Sequence, residues 1–234
     1  MNQICIFGDS WSYQSMNKLP DWQEIKGNQT FQKMFAEHDI IAHNKSIQGG
    51  SNLDIVTCMK DNLQLMNESD LIIVFQTDPM REVIDRKTFR LIKDFNFKKH
   101  LNLVDLARQL LIQFYNDLSN LQQTTNRPML LIGGLSCLDI QNVPKNISTL
   151  PQSWTELATT NFVDCFFEWV DFLELVADHL NNQDELFEIK KQIQTKNYVW
   201  QNSDAFGWCH PSDVGYKLMF DIIFIHLKEL YESN

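Results

Sequence analysis

Residues 3–13 read QICIFGDSWSY (Gln3–Tyr13). Gln3–Phe7 form the short, nearly continuous apolar run that a parallel strand buried on both faces requires, and Gly8, Asp9 and Ser10 break it off. A flexible residue, a carboxylate and a hydroxyl at the end of a first strand admit three readings: a plain turn, a phosphate cradle, or a nucleophile held at the edge of a sheet. The cradle drops out, because neither G-x-x-x-x-G-K-[ST] nor G-x-G-x-x-G is present.

Outward from this stretch, Asp39–His43 (DIIAH), Leu71–Phe75 (LIIVF) and Met129–Ile132 (MLLI, before Gly133-Gly134) repeat the buried-strand type. Helical patterns lie between them at Thr30–Glu37, at Leu53–Met66 and from Leu101 to about Leu121. In the last of these Leu103, Ala107, Leu110, Leu111, Phe114, Leu118 and Leu121 line one face. Alternating strands and helices predict an α/β fold, a three-layer α/β/α sandwich with a mainly parallel sheet whose ligands bind at the carboxyl ends of the strands. Gly8-Asp9-Ser10 falls on that rim. Val143–Trp154, with Pro144 and Pro151, reads as a loop. Phe162–Leu180 is rich in Phe, Val, Leu and acidic residues, with strand and helix both open for Phe162–Trp169. Asp184 to about Ile193 reads as a helix, and a last helix runs from Val214 with Ser212 as its N-cap.

The whole chain narrows the partners. Its 234 residues predict one domain, 1–234, and a hydrophobic share of 44% with 16 Phe supplies the apolar surface that folding needs. A formal net charge of -10 repels a phosphate backbone, which argues against nucleic acid, and the basic cluster at Phe97–His100 reads as solvated surface. Five cysteines without a C-x-x-C pair suit a reducing compartment and give zinc no clustered ligands. Cys209, beside His210, reads as a nucleophile or as a small apolar residue, and the second reading is preferred. No basic segment precedes a leader-like apolar run, and no uncharged run approaches a membrane span. The expectation is therefore a soluble, cytoplasmic protein, or one released by lysis, with no membrane partner, no metal, no cofactor and no glycosylation at Asn28, Asn67 or Asn146.

Near the other end His210 precedes Pro211, which biases it toward extended backbone just before the last helix, so that its imidazole can face the rim. With this pair the sequence resembles the SGNH or GDSL hydrolases. "FGDS" matches the family's nucleophile segment with Ser10 in the nucleophile's place. "NKSIQGGSN" (Asn44–Asn52) resembles the second segment and aligns Gly49 with the glycine whose N–H helps to bind the oxyanion. "HPSDVGY" aligns His210 with the catalytic base. The resemblance implies an SGNH-hydrolase, flavodoxin-like fold and no cofactor.

Two places depart from the family pattern. Where the third segment reads G-x-N-D, this chain has Phe75-Gln76-Thr77-Asp78, so that Thr77 stands in place of the oxyanion Asn, with Gln76 and Asn52 as other donors. Loss of one such donor can cost roughly 10²–10³ in rate. The family acid, three residues before the histidine, is Gly207 here. Asp204 is the preferred orienting carboxylate and Asp213 serves the first turn of the last helix, while a Ser–His dyad oriented by a backbone carbonyl stays open.

The resemblance thus implies a serine hydrolase of carboxylic esters, with small or carbohydrate-linked acyl groups. Ser10 is the nucleophile, His210 the base and Asp204 the acid, and the N–H groups of Ser10 and Gly49, assisted by Thr77 or Asn52, hold the oxyanion. Asp9 fixes the turn. Arg81 binds an anionic substrate group or pairs with Glu82 or Asp78, and Trp11, Trp154 and Trp208 line a sugar or acyl pocket or belong to the core. Two alternatives stand beside this reading: a catalytically weak or inactive module binding a glycan or protein, and an O-acyltransferase.

Overall fold

The computed structural model describes residues 1–18, 24–77, 79–82, 84–85, 90–91, 103–134, 138–153, 211 and 213–232. In chain order these residues form β1 (Gln3–Phe7), α1 (Ser10–Tyr13), β2 (Met16–Lys18), β3 (Glu24–Lys26), α2 (Phe31–Ala36), β4 (Ile41–Asn44), α3 (Asn52–Asp61), α4 (Leu63–Glu68) and β5 (Leu71–Phe75). A 3-10 turn (Pro79–Glu82) follows, then β6 (Ile84–Asp85), β7 (Arg90–Leu91), α5 (Leu103–Thr125), β8 (Met129–Gly133), β9 (Ser148–Ser153) and α6 (Asp213–Glu232).

Five strands form one all-parallel sheet in the order β4-β1-β5-β8-β9, so the α/β class and the parallel sheet expected from the sequence are borne out. Counted along the chain, that order is 2-1-3-4-5, the flavodoxin-like arrangement. Its direction of winding reverses between β1 and β5, and ligands in such sheets bind outside the carboxyl ends of the strands at that point. Gly8-Asp9-Ser10 leaves β1 there, and Gln76-Thr77 leaves β5 beside it.

Alternation along the strands makes the three layers. Ile4, Ile6, Ile73, Phe75, Leu130 and Ile132 pack on one face against Phe31 and Phe35 of α2 and Tyr216, Phe220 and Ile223 of α6. Cys5, Phe7, Ile72, Val74 and Leu131 point to the other face, against Ile55 and Met59 of α3 and Phe114, Tyr115 and Leu118 of α5. Phe31 lies between Phe75 and Tyr216, with ring centroids 5.3 and 4.9 Å away. Two of the helices that pack on these faces are capped by their own sequence. The Thr30 hydroxyl accepts from Lys33 N, and Ser51 with Asp54 forms a capping box at the start of α3.

Several boundaries differ from the sequence reading. The stretch read as a loop around Pro151 contains β9, which sits at the edge of the sheet formed by the described residues. Its register against β8 shifts between Ile132 and Gly133, so that Pro151 falls in an irregularity where no ladder bond is required of it. The helix expected over Leu53–Met66 is two helices, because Asn62 leaves helical geometry and its amide donates back to the Cys58 carbonyl at 2.7 Å. The second strand begins at Ile41, after Asp39 with φ 58 closes the turn behind α2. Helix α1 and the two short antiparallel pairs were not foreseen. Phe162–Leu180, Asp184–Ile193 and Ser212 lie outside the described residues. No helix among the described residues is long and apolar enough to cross a membrane.

Candidate active site

The site begins where β1 ends. Asp9 has extended backbone and caps α1: its Oδ1 accepts from Trp11 N at 3.0 Å, and its carbonyl accepts from Ser12 N at 3.2 Å. Ser10 is therefore the first residue of a short helix, half-buried at the rim. Glycine is required at position 8 because an added Cβ would collide with the Ser12 side chain and come within 2.9 Å of Phe75 Cβ.

The segment after β4 is fastened to this turn. Lys45 N donates to Ile6 O and Ile47 N to Gly8 O, both at 2.8 Å, extending the pairing with β1 beyond the strand. Asn44 Nδ2 donates to Ser12 O at 2.7 Å while Asn44 Oδ1 accepts from Ser46 N at 2.9 Å, and the Ser12 and Ser46 hydroxyls are 3.0 Å apart. Gly50 N then closes a turn onto Ile47 O at 2.8 Å with Gly49 at φ 66, a conformation that favours glycine at that turn position. The Gly49 N–H is engaged by none of the described residues.

Asn52, the first residue of α3, is fully buried and grips the backbone of Thr77 with both ends of its amide: Oδ1 accepts from Thr77 N at 2.9 Å, and Nδ2 donates to Thr77 O at 3.1 Å. The Thr77 hydroxyl directs its single proton to Asp9 Oδ2 at 2.8 Å. Arg81, on the 3-10 turn, completes the group. Its Nη1 donates to Asp9 Oδ2 at 3.0 Å and to the Gly50 carbonyl at 3.3 Å. The Asp9 side chain is only 2% exposed, and a carboxylate that deep requires this combination of ion pair and hydrogen bonds. Behind it the Gln76 amide oxygen accepts from the Tyr115 hydroxyl at 2.7 Å, which in turn accepts from Asp139 N at 3.0 Å.

Of the residues singled out in the sequence, Asp9, Ser10, Gly49, Asn52, Thr77 and Arg81 are brought to one end of the sheet. Arg81 pairs with Asp9, a partner its neighbours Glu82 and Asp78 did not suggest. Trp11 is buried in the cluster that holds Phe31 and Tyr216. His210, Asp204, Trp154 and Trp208 lie outside the described residues. Asp213 opens α6, and its Oδ1 accepts from Ser15 Oγ at 2.6 Å, Asn28 N at 2.9 Å and Gln29 N at 3.1 Å. Three contributors went unread although each lies inside a quoted motif: Ser12, Asn44 and Tyr216, which sits six residues after His210 and donates to Trp11 O at 2.7 Å. Among the described residues no group of three or more His, Cys, Asp and Glu could hold a metal ion.

Chemically, the described part offers a serine hydroxyl at the winding reversal, and beside its turn a glycine N–H on a tight turn held by hydrogen bonds. No protein-family model matches the chain, and no curated protein matches it. Among solved structures it is similar to a lipase/acylhydrolase from Enterococcus faecalis (14% identity, covering 98% of this chain and 96% of that one, TM-score 0.44). It is similar as well to a GDSL-like lipase from Bacteroides thetaiotaomicron (10%, 98% and 89%, 0.47) and to a psychrotrophic esterase from Pseudoalteromonas (14%, 100% and 100%, 0.44). Likenesses of this degree carry no functional inference.

Proposed function

We propose that the chain is a serine hydrolase of carboxylic esters, taking small-acyl or acetylated-carbohydrate substrates through an acyl-enzyme on Ser10. The observation that supports this most is the bridge made by Arg81 Nη1, which joins Asp9 to Gly50, the residues that adjoin Ser10 and Gly49. A nucleophile and an oxyanion donor must be held in fixed relation if the donor is to meet charge that develops only in the transition state. In this reading His210 takes the Ser10 proton with Asp204 orienting it, and the alkoxide attacks the ester carbonyl. The N–H groups of Ser10 and Gly49 hold the tetrahedral oxyanion, the alcohol leaves with the proton from His210, and water releases the acid.

A second reading has one observation in its favour. The Thr77 hydroxyl points its proton at Asp9 and Asn52 Nδ2 donates to Thr77 O, an arrangement that fits a slow enzyme or a module that binds a glycan or protein. Labelling with a fluorophosphonate probe separates the two. The wild type is expected to label and to turn over p-nitrophenyl acetate, and Ser10→Ala and His210→Ala to lose both. A folded wild type that does not label would favour the binding module.

A further inference from the structure

We propose that Arg81 is a positioning residue that sets the serine turn against the glycine turn; this rests on the esterase reading of the same site. Two segments far apart in sequence meet on its guanidinium, and a third joins them through Asp9. Asp9 supplies one carboxylate oxygen to α1 through Trp11 N and the other to Arg81 and the Thr77 hydroxyl. The glycine turn is reached through Gly50 O, and the end of β5 through Thr77, whose backbone Asn52 holds from the start of α3. Remove Arg81 and Asp9 still caps α1, but the direct side-chain link between the Asp9 turn and Gly50 is gone.

An arginine suits this place because its rigid, planar group can serve a carboxylate and a carbonyl at once, whereas a lysine offers a mobile point charge. Its side chain is 21% exposed, against 2% for Asp9, so it closes the network from the solvent side. Displacement of a donor by about 1 Å can cost on the order of 10²-fold in rate. Arg81→Gln is therefore expected to lower kcat per labelled serine by roughly 10- to 100-fold while KM changes less than about threefold, and Arg81→Lys to recover part of the loss.

The test pairs two measurements on the full chain. Hydrogen exchange of the wild type, Arg81→Gln and Arg81→Lys reads the amides of Gly8–Ser12 and Ile47–Asn52, and turnover is normalised to fluorophosphonate-labelled sites so that unfolded protein is not counted. Faster exchange confined to both turns, with a fall in kcat per labelled site, is the expected result. Unchanged exchange at the two turns overturns the proposal whatever the activity. Faster exchange with wild-type kcat per site makes Arg81 merely structural, and a rise in KM at constant kcat makes it a substrate contact; each overturns the proposal. A wild type that does not label fails the esterase reading and takes Arg81's effect on turnover with it, while exchange still decides whether the residue couples the turns.

Discussion

The hydroxyl of Tyr216 donates to the backbone carbonyl of Trp11 at 2.7 Å, across 205 positions of sequence. The bond ties α6, which begins three residues after His210, to α1, which begins with Ser10. Burial first, and the charge of Asp9 second, push the Tyr216 phenol well above its ordinary pKa, so it remains a donor throughout the neutral range. Tyr216→Phe keeps the volume and removes the bond. It is expected to lower stability by about 1–2 kcal/mol, read as a reduced urea midpoint at unchanged slope.

At Gly134 the constraint is steric. An added Cβ would overlap the carbonyl oxygen of Gln76 and approach Gln76 C to 3.0 Å, and these are backbone atoms of the segment that carries Thr77. Gly134→Ala is expected to cost at least about 3 kcal/mol, the upper end of ordinary overpacking, because neither strand end can move without disturbing the rim. A thermal or urea midpoint equal to that of the wild type would contradict this contact.

Asp213 holds the start of α6 to the loops on either side of the β2–β3 pair. One carboxylate oxygen accepts from Ser15 Oγ, Asn28 N and Gln29 N; on its loss Ser15 Oγ can still donate to Gln29 O and Gln29 N to Ser15 Oγ, so that Asn28 N alone loses its acceptor while all three lose a charged one. Asp213→Ala is expected to destabilise by roughly 1.5–3 kcal/mol, more than the few tenths to 1 kcal/mol of a carboxylate acting only on the helix dipole. Asp213→Asn, which keeps an acceptor oxygen and loses the charge, should fall between. A loss below about 1 kcal/mol in Asp213→Ala would return Asp213 to the dipole role read from the sequence.

What could be read in advance follows from how local each cause is. β1 and β5 have the limits their apolar runs indicate, because a strand buried on both faces writes itself as a continuous run. β9 does not, since an edge strand tolerates Ser148, Pro151 and Gln152, and nothing in STLPQS announces the ladder with β8. Asp9 and Ser10 could be placed at the rim from the break after Phe7. The partners of Asp9 could not, because Thr77 and Arg81 lie 68 and 72 positions away and meet it only through the order of the sheet. At Arg81 the carboxylates near in sequence are Glu82 and Asp78, while the one that takes the guanidinium, Asp9, follows the neighbouring strand β1.

Cys5 leads to the last prediction, on pH. Buried in the middle of β1, its thiol is raised from 9.0 to about 11, chiefly by desolvation and against a hydrogen bond with Ser69. Between these values the unfolded chain gives up the proton and the fold keeps it. The folded state then binds more protons, and stability falls as pH rises, by up to about 1.4 kcal/mol per unit for this one group. Below pH 9.0 the contribution is complete. Tyr216 adds a fall of the same sign at higher pH, and Cys58, raised by burial and then by Asp61, adds a smaller one. Urea midpoints measured from about pH 8 to about pH 10.5 should therefore decline for the wild type and decline less for Cys5→Ala, whose cavity cost is independent of pH. Parallel curves for the two proteins would show that the Cys5 proton is not retained by the fold.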